Sequence, residues 1–116
     1  MTQHPHLDAW ISAIQSHNPD TVLSLYDPEA VLLPTVSNQI RFTQEERRDY
    51  FLHFLAKKPQ CKVVSVHSQS LSTDREAIGG IYHFSFADGT EAKARYSFVF
   101  DSDGLIYHHH SSLLPE

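Results

Sequence analysis

The chain has 116 residues, 41% hydrophobic and 20% charged, with one cysteine and a formal net charge of −5. That length predicts a single domain over residues 1–116 with a modest core. No apolar run approaches the ~20 residues of a membrane span, and the acidic balance excludes nucleic acid as a main partner, because phosphate contacts need clustered Lys and Arg.

The opening segment MTQHPHLDAW lacks a basic region followed by an apolar stretch, so no secretion signal is expected, and the lone Cys61 cannot close an internal disulfide. The expectation is a cytoplasmic protein. Nine histidines are unusual: full protonation would carry the net charge from −5 to +4. His4, His6, His17 and His53 read as surface residues.

In chain order, Leu7, Trp10, Ile11 and Ile14 recur at helical spacing and predict a first amphipathic helix. Asn18, Pro19 and Asp20 restart a helix, with Asn18 as the N-cap and Pro19 at the first helical position. That helix carries Val22, Leu23 and Tyr26 and stops at Pro28. The segment EAVLLPT reads as a short buried strand and QIRFT as a candidate second one. Thr43 and Glu46 form a capping box, opening a third helix with Tyr50, Phe51, Phe54 and Leu55 on one stripe and Pro59 beyond its end. From Cys61 onward four strand patterns follow: KVVSVHSQSL, AIGGIYHFSF, EAKARYSFVF and LIYHHHSSLL. Two of the separators contain Asp-Gly, a hairpin signal. Helices followed by an antiparallel meander predict an α+β fold, with three helices packed on one face of a curved sheet.

Hairpin register sorts the side chains between faces. With Asp88-Gly89 as a two-residue loop, Tyr82 pairs with Arg95 and Gly80 with Ser97. With Asp101–Gly104 as an even-length connection, Ser97 pairs with His108 and Arg95 with His110. One face then holds Tyr82, Arg95, Ser97, His108 and His110. The other holds Ile81, Tyr96, Phe98, Phe100, Tyr107 and His109. The first is too polar for a plain core and the second too aromatic for open solvent. This predicts a helix-covered cavity on the first face and a subunit interface through Tyr96, Phe98, Phe100, Tyr107 and His109 on the second. The opposite sorting, with the aromatics under the helices and Arg95 and the histidines in solvent, stays open.

The segments LYDPEAVLLPT, ARYSFVF and HHHSSLLPE resemble small bacterial proteins related to the association domain of calcium/calmodulin-dependent protein kinase II, within the nuclear-transport-factor-2-like superfamily. His108, His110, Ser112 and Pro115 fit the His-x-His-x-Ser pattern before a proline that closes those domains. The resemblance covers Leu7 to Glu116. It implies a cone-shaped fold with a pocket under the helices, and dimers packed through their sheets and often joined into rings. It also implies an arginine in the pocket, for which Arg95 is the candidate. No kinase domain or calmodulin-binding segment is present, so neither activity carries over.

Three chemistries fit these residues. His108 and His110 lie about 6.6 Å apart along one strand, a spacing that suits zinc, but no third ligand is evident, so no metal or other cofactor is expected. Arg95, His108, His110, Ser97 and Tyr82, walled by Tyr50 and Tyr26, suit a small anionic or carboxylate ligand. The same groups allow an isomerase-, dehydratase- or cyclase-like acid/base enzyme with His110 or His108 as the base. Trp10 and Phe54 read as core, and Cys61 as inert. Ser111 and Ser112 lack the orienting acid of a hydrolase. The expected protein is a self-associating module with a ligand pocket, the enzyme being the second reading.

Overall fold

The computed structural model describes residues 4–35 and 37–115. Helix α1 (Pro5–Gln15) begins where His4 leaves extended backbone; its Nδ1 accepts from the Leu7 backbone N–H at 3.3 Å. His4 is therefore not a surface residue. It is buried, and its Nε2 lies 2.7 Å from Glu76 Oε1. Helix α2 (Pro19–Leu23) has the expected Asn18 cap, with Asn18 Oδ1 accepting from Asp20 N–H at 2.9 Å. It ends earlier than its pattern suggests. Tyr26 opens strand β1 (Tyr26–Leu33), and Pro28 lies inside that strand. An edge strand tolerates the missing N–H, and β1 is an edge of the sheet.

Helix α3 (Gln44–Ala56) carries the complete Thr43–Glu46 capping box. The candidate strand QIRFT reduces to one bridge, Arg41 pairing with Leu32. Strands β2 (Gln60–Ser70), β3 (Glu76–Ser85), β4 (Glu91–Phe100) and β5 (Ile106–Leu113) follow. The sheet order is β1-β5-β4-β3-β2, with β1 parallel to β5 and the other pairs antiparallel. The architecture is α+β, three helices on a curved, open sheet.

Both hairpins depart from the expected loops. At the first, Phe86 N–H donates to Thr90 C=O at 2.9 Å, leaving a three-residue loop that ends in Gly89 at φ 89°. Tyr82 therefore faces Ala94 and Ile81 faces Arg95. Because side chains alternate, that one-residue change moves Tyr82 to the face opposite Arg95. At the second, Asp101 N–H donates to Leu105 C=O at 2.8 Å around another three-residue loop. A register shift next to Val99 then restores the parity, so Ser97 faces His110, Val99 faces His108 and Arg95 faces Ser112.

The helices cover the aromatic face. Trp10 of α1 stacks on Tyr82 at 5.6 Å and meets Phe98 edge-on at 5.3 Å, while Phe51 and Phe54 of α3 meet Tyr26 and Phe84. A buried arginine ties α3 to β1. The β1–β5 ladder is interrupted between Tyr26 and Val31, which leaves carbonyls without strand partners. The Arg47 guanidinium, fully buried, donates to Pro28 O at 2.9 Å, Ala30 O at 2.5 Å, Asp27 O at 3.3 Å and Phe42 O at 3.0 Å. One side chain thus satisfies the broken stretch of the edge strand.

Candidate functional site

Strand β5 sends alternate side chains to opposite faces, and its three histidines divide accordingly. His109 and Ser111 point under the helices and are buried, whereas His110 is exposed and His108 half-buried. His109 lies parallel to Phe98 with ring centroids 4.0 Å apart, and Trp10 meets it edge-on. Its two nitrogens are both engaged: Nδ1 lies 2.8 Å from the Tyr26 hydroxyl and Nε2 lies 3.1 Å from the Tyr82 hydroxyl.

One assignment of the protons leaves no donor in this buried chain idle. Trp10 Nε1–H can only donate, and it donates to the Tyr26 oxygen at 3.1 Å. Tyr26 then spends its single proton on His109 Nδ1. The neutral imidazole carries its proton on Nε2 and donates to Tyr82. Tyr82 in turn faces the Ser111 hydroxyl, which contacts Thr35 Oγ1. Burial pushes the His109 pKa down to about 3, helped by His108 and His110 on either side. The same desolvation raises the pKa of both tyrosines. Every member of this relay is held neutral.

Next to the relay is a narrow hollow bounded by Tyr50, Phe54, Phe84, Tyr82, His109 and Ser111, with room for about one water molecule (10 Å³). Tyr26, Tyr50 and Tyr82 are all buried, but only Tyr50 and Tyr82 line the hollow, and Tyr26 does not. Arg95, Ser97, His108 and His110 are not with them. They lie on the outer face of the sheet, Arg95, Ser97 and His110 exposed. No Lys or Arg lines the hollow among the described residues. The expected cavity on the Arg95 face is corrected by this sorting, and so is the expected interface. Tyr96, Phe98, Phe100 and His109 are buried under the helices, and only Tyr107 of that group is exposed. The physical reason is the apolar content of β4. Ala92, Ala94, Tyr96, Phe98 and Phe100 form the alternating set that gains most from helix cover.

Sequence reasoning placed His109 in an interface, set Ser111 aside, and passed over Thr35 and Arg47. A signal for His109 was available: three successive histidines on a one-side-covered strand must place at least one inside. No comparable signal marks Arg47, whose partners are all backbone carbonyls. Among the described residues no group of three or more His, Cys, Asp or Glu is placed to hold a metal ion, and no helix is long and apolar enough to cross a membrane. Burial pushes the Cys61 thiol up to about 12, so little thiolate is present at neutral pH.

The outer face carries its own apolar residues. It lies opposite the aromatic face that the helices cover, and Val31, Leu33, Ile81 and Val99 stand on it half-buried, with the 37–40 loop beside its β1–β5 end. The family model of the calcium/calmodulin dependent protein kinase II association domain matches residues 5–115. A solved Xanthomonas campestris protein assigned as such an association domain is 40% identical, with a TM-score of 0.89 over 95% of this chain and 84% of its own. An NTF2-like protein of unknown function from Pseudomonas putida has a TM-score of 0.82 at 9% identity, covering 96% of this chain and 83% of its own. A Caulobacter vibrioides protein with a cystatin-like fold has a TM-score of 0.75 at 14% identity, covering 94% and 84%. These last two likenesses show the fold alone. No curated protein matches the sequence.

Proposed function

The chain belongs to the calcium/calmodulin dependent protein kinase II association-domain family, and from that premise we propose that it is a homo-oligomerisation module whose basic unit is a dimer formed through the outer sheet face. The observation that carries this reading is the sheet face opposite the helices, with Val31, Leu33, Ile81 and Val99 on it. Five strands spaced about 4.8 Å apart, 8–11 residues long at about 3.3 Å per residue, present roughly 600–900 Å². A standard interface uses about 800 Å² per partner. Rings built from such dimers would use other surfaces, such as the exposed Ile40 and Phe42 before α3. A cytoplasmic location goes with this reading.

The test is Val99→Asp, read by sedimentation or light scattering. The expected result is a folded protein that no longer associates. Unchanged assembly would remove the outer face from the interface.

A ligand in the interior is the second part of the proposal, favoured by the polar end that Tyr82, His109, Ser111 and Thr35 give to an otherwise aromatic hollow. At its present size the hollow suits a water, and a larger guest requires Tyr50 or Phe54 to turn aside. A small neutral hydroxyl-bearing molecule suits it better than a carboxylate, because a buried charge without a cationic partner is costly. A melting-temperature screen of phenols against carboxylates tests this: stabilisation by the carboxylates alone would reverse the preference. The enzyme reading finds less support. His108 and His110 stand on an open surface that excludes no water, and His109 has both nitrogens occupied and stays neutral.

A further inference from the structure

Two adjacent glycines in β3 have different reasons to be there. A Cβ on Gly80 would come within 2.0 Å of Ser65 O, so the fold itself forbids a side chain. Gly79 is different. Its φ is not positive, and a Cβ would meet only Tyr96 O at 3.4 Å and Ser97 Oγ at 3.7 Å, ordinary contacts. A glycine inside a strand costs about 0.5–1 kcal/mol relative to alanine, and nothing within the chain requires this one. It floors a depression of about 570 Å³ on the outer face, together with Ala77 and Ser97 and beside His67 and Gln69. Interior strand glycines mark a bulge, a bend or the close approach of a ligand or another backbone, and the β2–β3 register shift lies opposite Ile81 and Tyr82, not at Gly79.

The register across the outer face shows which molecule fits. One row runs Ser65, Ile81, Arg95, Ser112 across β2, β3, β4 and β5, and the next runs His67, Gly79, Ser97, His110. The first reads small, large, large, small. The second reads large, small, small, large. A twofold axis lying across the strands midway between the rows places each row over the other row of a second copy, strand on strand. Every large side chain then meets a small one.

We propose that this pair of rows is the self-complementary centre of the dimer, with Ile81 of each copy seated on Gly79 of the other. Arg95 lies over the second copy's Ser97 in the same arrangement. The contact is isologous: each copy supplies both knob and hole. Sheets packed face to face at about 30° interdigitate side chains in this way. Gly79 is thus the position that sets which surface can pair, and a second copy of this chain is the matching one. This inference rests on the outer-face dimer reading and specifies its geometry.

The experiment compares Gly79→Val, Ile81→Ala and the double variant, with sedimentation for assembly and thermal melting for folding. Gly79→Val should fold and weaken association by at least about tenfold. Ile81→Ala should weaken it less. The double variant, which moves the knob from position 81 to position 79, should recover association toward wild type, because the axis exchanges those two positions. Wild-type assembly in Gly79→Val, or no recovery in the double variant, overturns the knob-and-hole pairing. If Val99→Asp dissociates the protein while Gly79→Val does not, the outer-face dimer stands and the pairing fails. If neither affects assembly, or the wild type is a monomer, the dimer reading fails as well.

Discussion

The two faces of one sheet differ in how each treats a charged or polar side chain. Under the helices, Arg47 has four backbone carbonyls as partners and His109 has two hydroxyls. On the other side, Arg95 is exposed, and His108 and His110 flank an uncovered surface. The same residue types serve the architecture on one face and remain available for contact on the other. An arginine's role is therefore set by which side of the sheet it reaches, for Arg47 by the inward stripe of α3 and for Arg95 by strand parity.

Neighbouring positions test that contrast most strongly. Phe98 is fully buried and Val99 lies on the outer face. Phe98→Asp should abolish folding, since it buries an unpaired carboxylate among Trp10, Tyr96 and His109. Circular dichroism showing a native melt would break the comparison. Arg47→Met should lower stability by about 3 kcal/mol or more, because it strands the buried carbonyls of the interrupted edge strand. Urea unfolding measures this, and a loss under about 1 kcal/mol would show that water replaces the guanidinium there.

His109 sharpens the comparison through pH. Its pKa falls from 6.5 to about 3 on folding, so the unfolded chain takes up a proton that the native chain refuses. Its contribution is complete above pH 6.5 and declines as pH falls toward 3, with about 3 kcal/mol lost by pH 4. In His109→Gln this part of the acid sensitivity should vanish, leaving a flatter plot of stability against pH. An unchanged slope would show that the imidazole is not held neutral. Arg95→Ala should have the smallest effect on folding, within about 0.5 kcal/mol. A larger loss in the isolated fold would mean that the outer face does more within one chain than its exposure indicates.

The helices were legible because their signals are local. The Asn18 cap, the Thr43–Glu46 box and the spacing of Leu7, Trp10 and Ile14 all appear where expected. Tyr26 was misplaced because Pro28 reads as a helix stop, while an edge strand accepts it equally well. The face assignment failed at Asp88-Gly89. That dipeptide satisfies a two-residue hairpin loop, and equally the end of a three-residue loop needing glycine at positive φ, where Gly89 sits. The two solutions differ by one residue and send Tyr82 to opposite faces. The grouping of Arg95, Ser97, His108 and His110 survived, since the second loop's odd length is offset by the register shift beside Val99.

That offset bears on how such a chain can change over time. Adding or removing one residue at the Ala87–Gly89 turn would rotate all of β3 and β2 inside out, exchanging Tyr82 and Phe84 for Ile81 and His83 beneath the helices. Length variation there can be tolerated only in steps of two, or together with an extra residue tucked into the adjoining strand. The β4–β5 connection already carries that kind of repair.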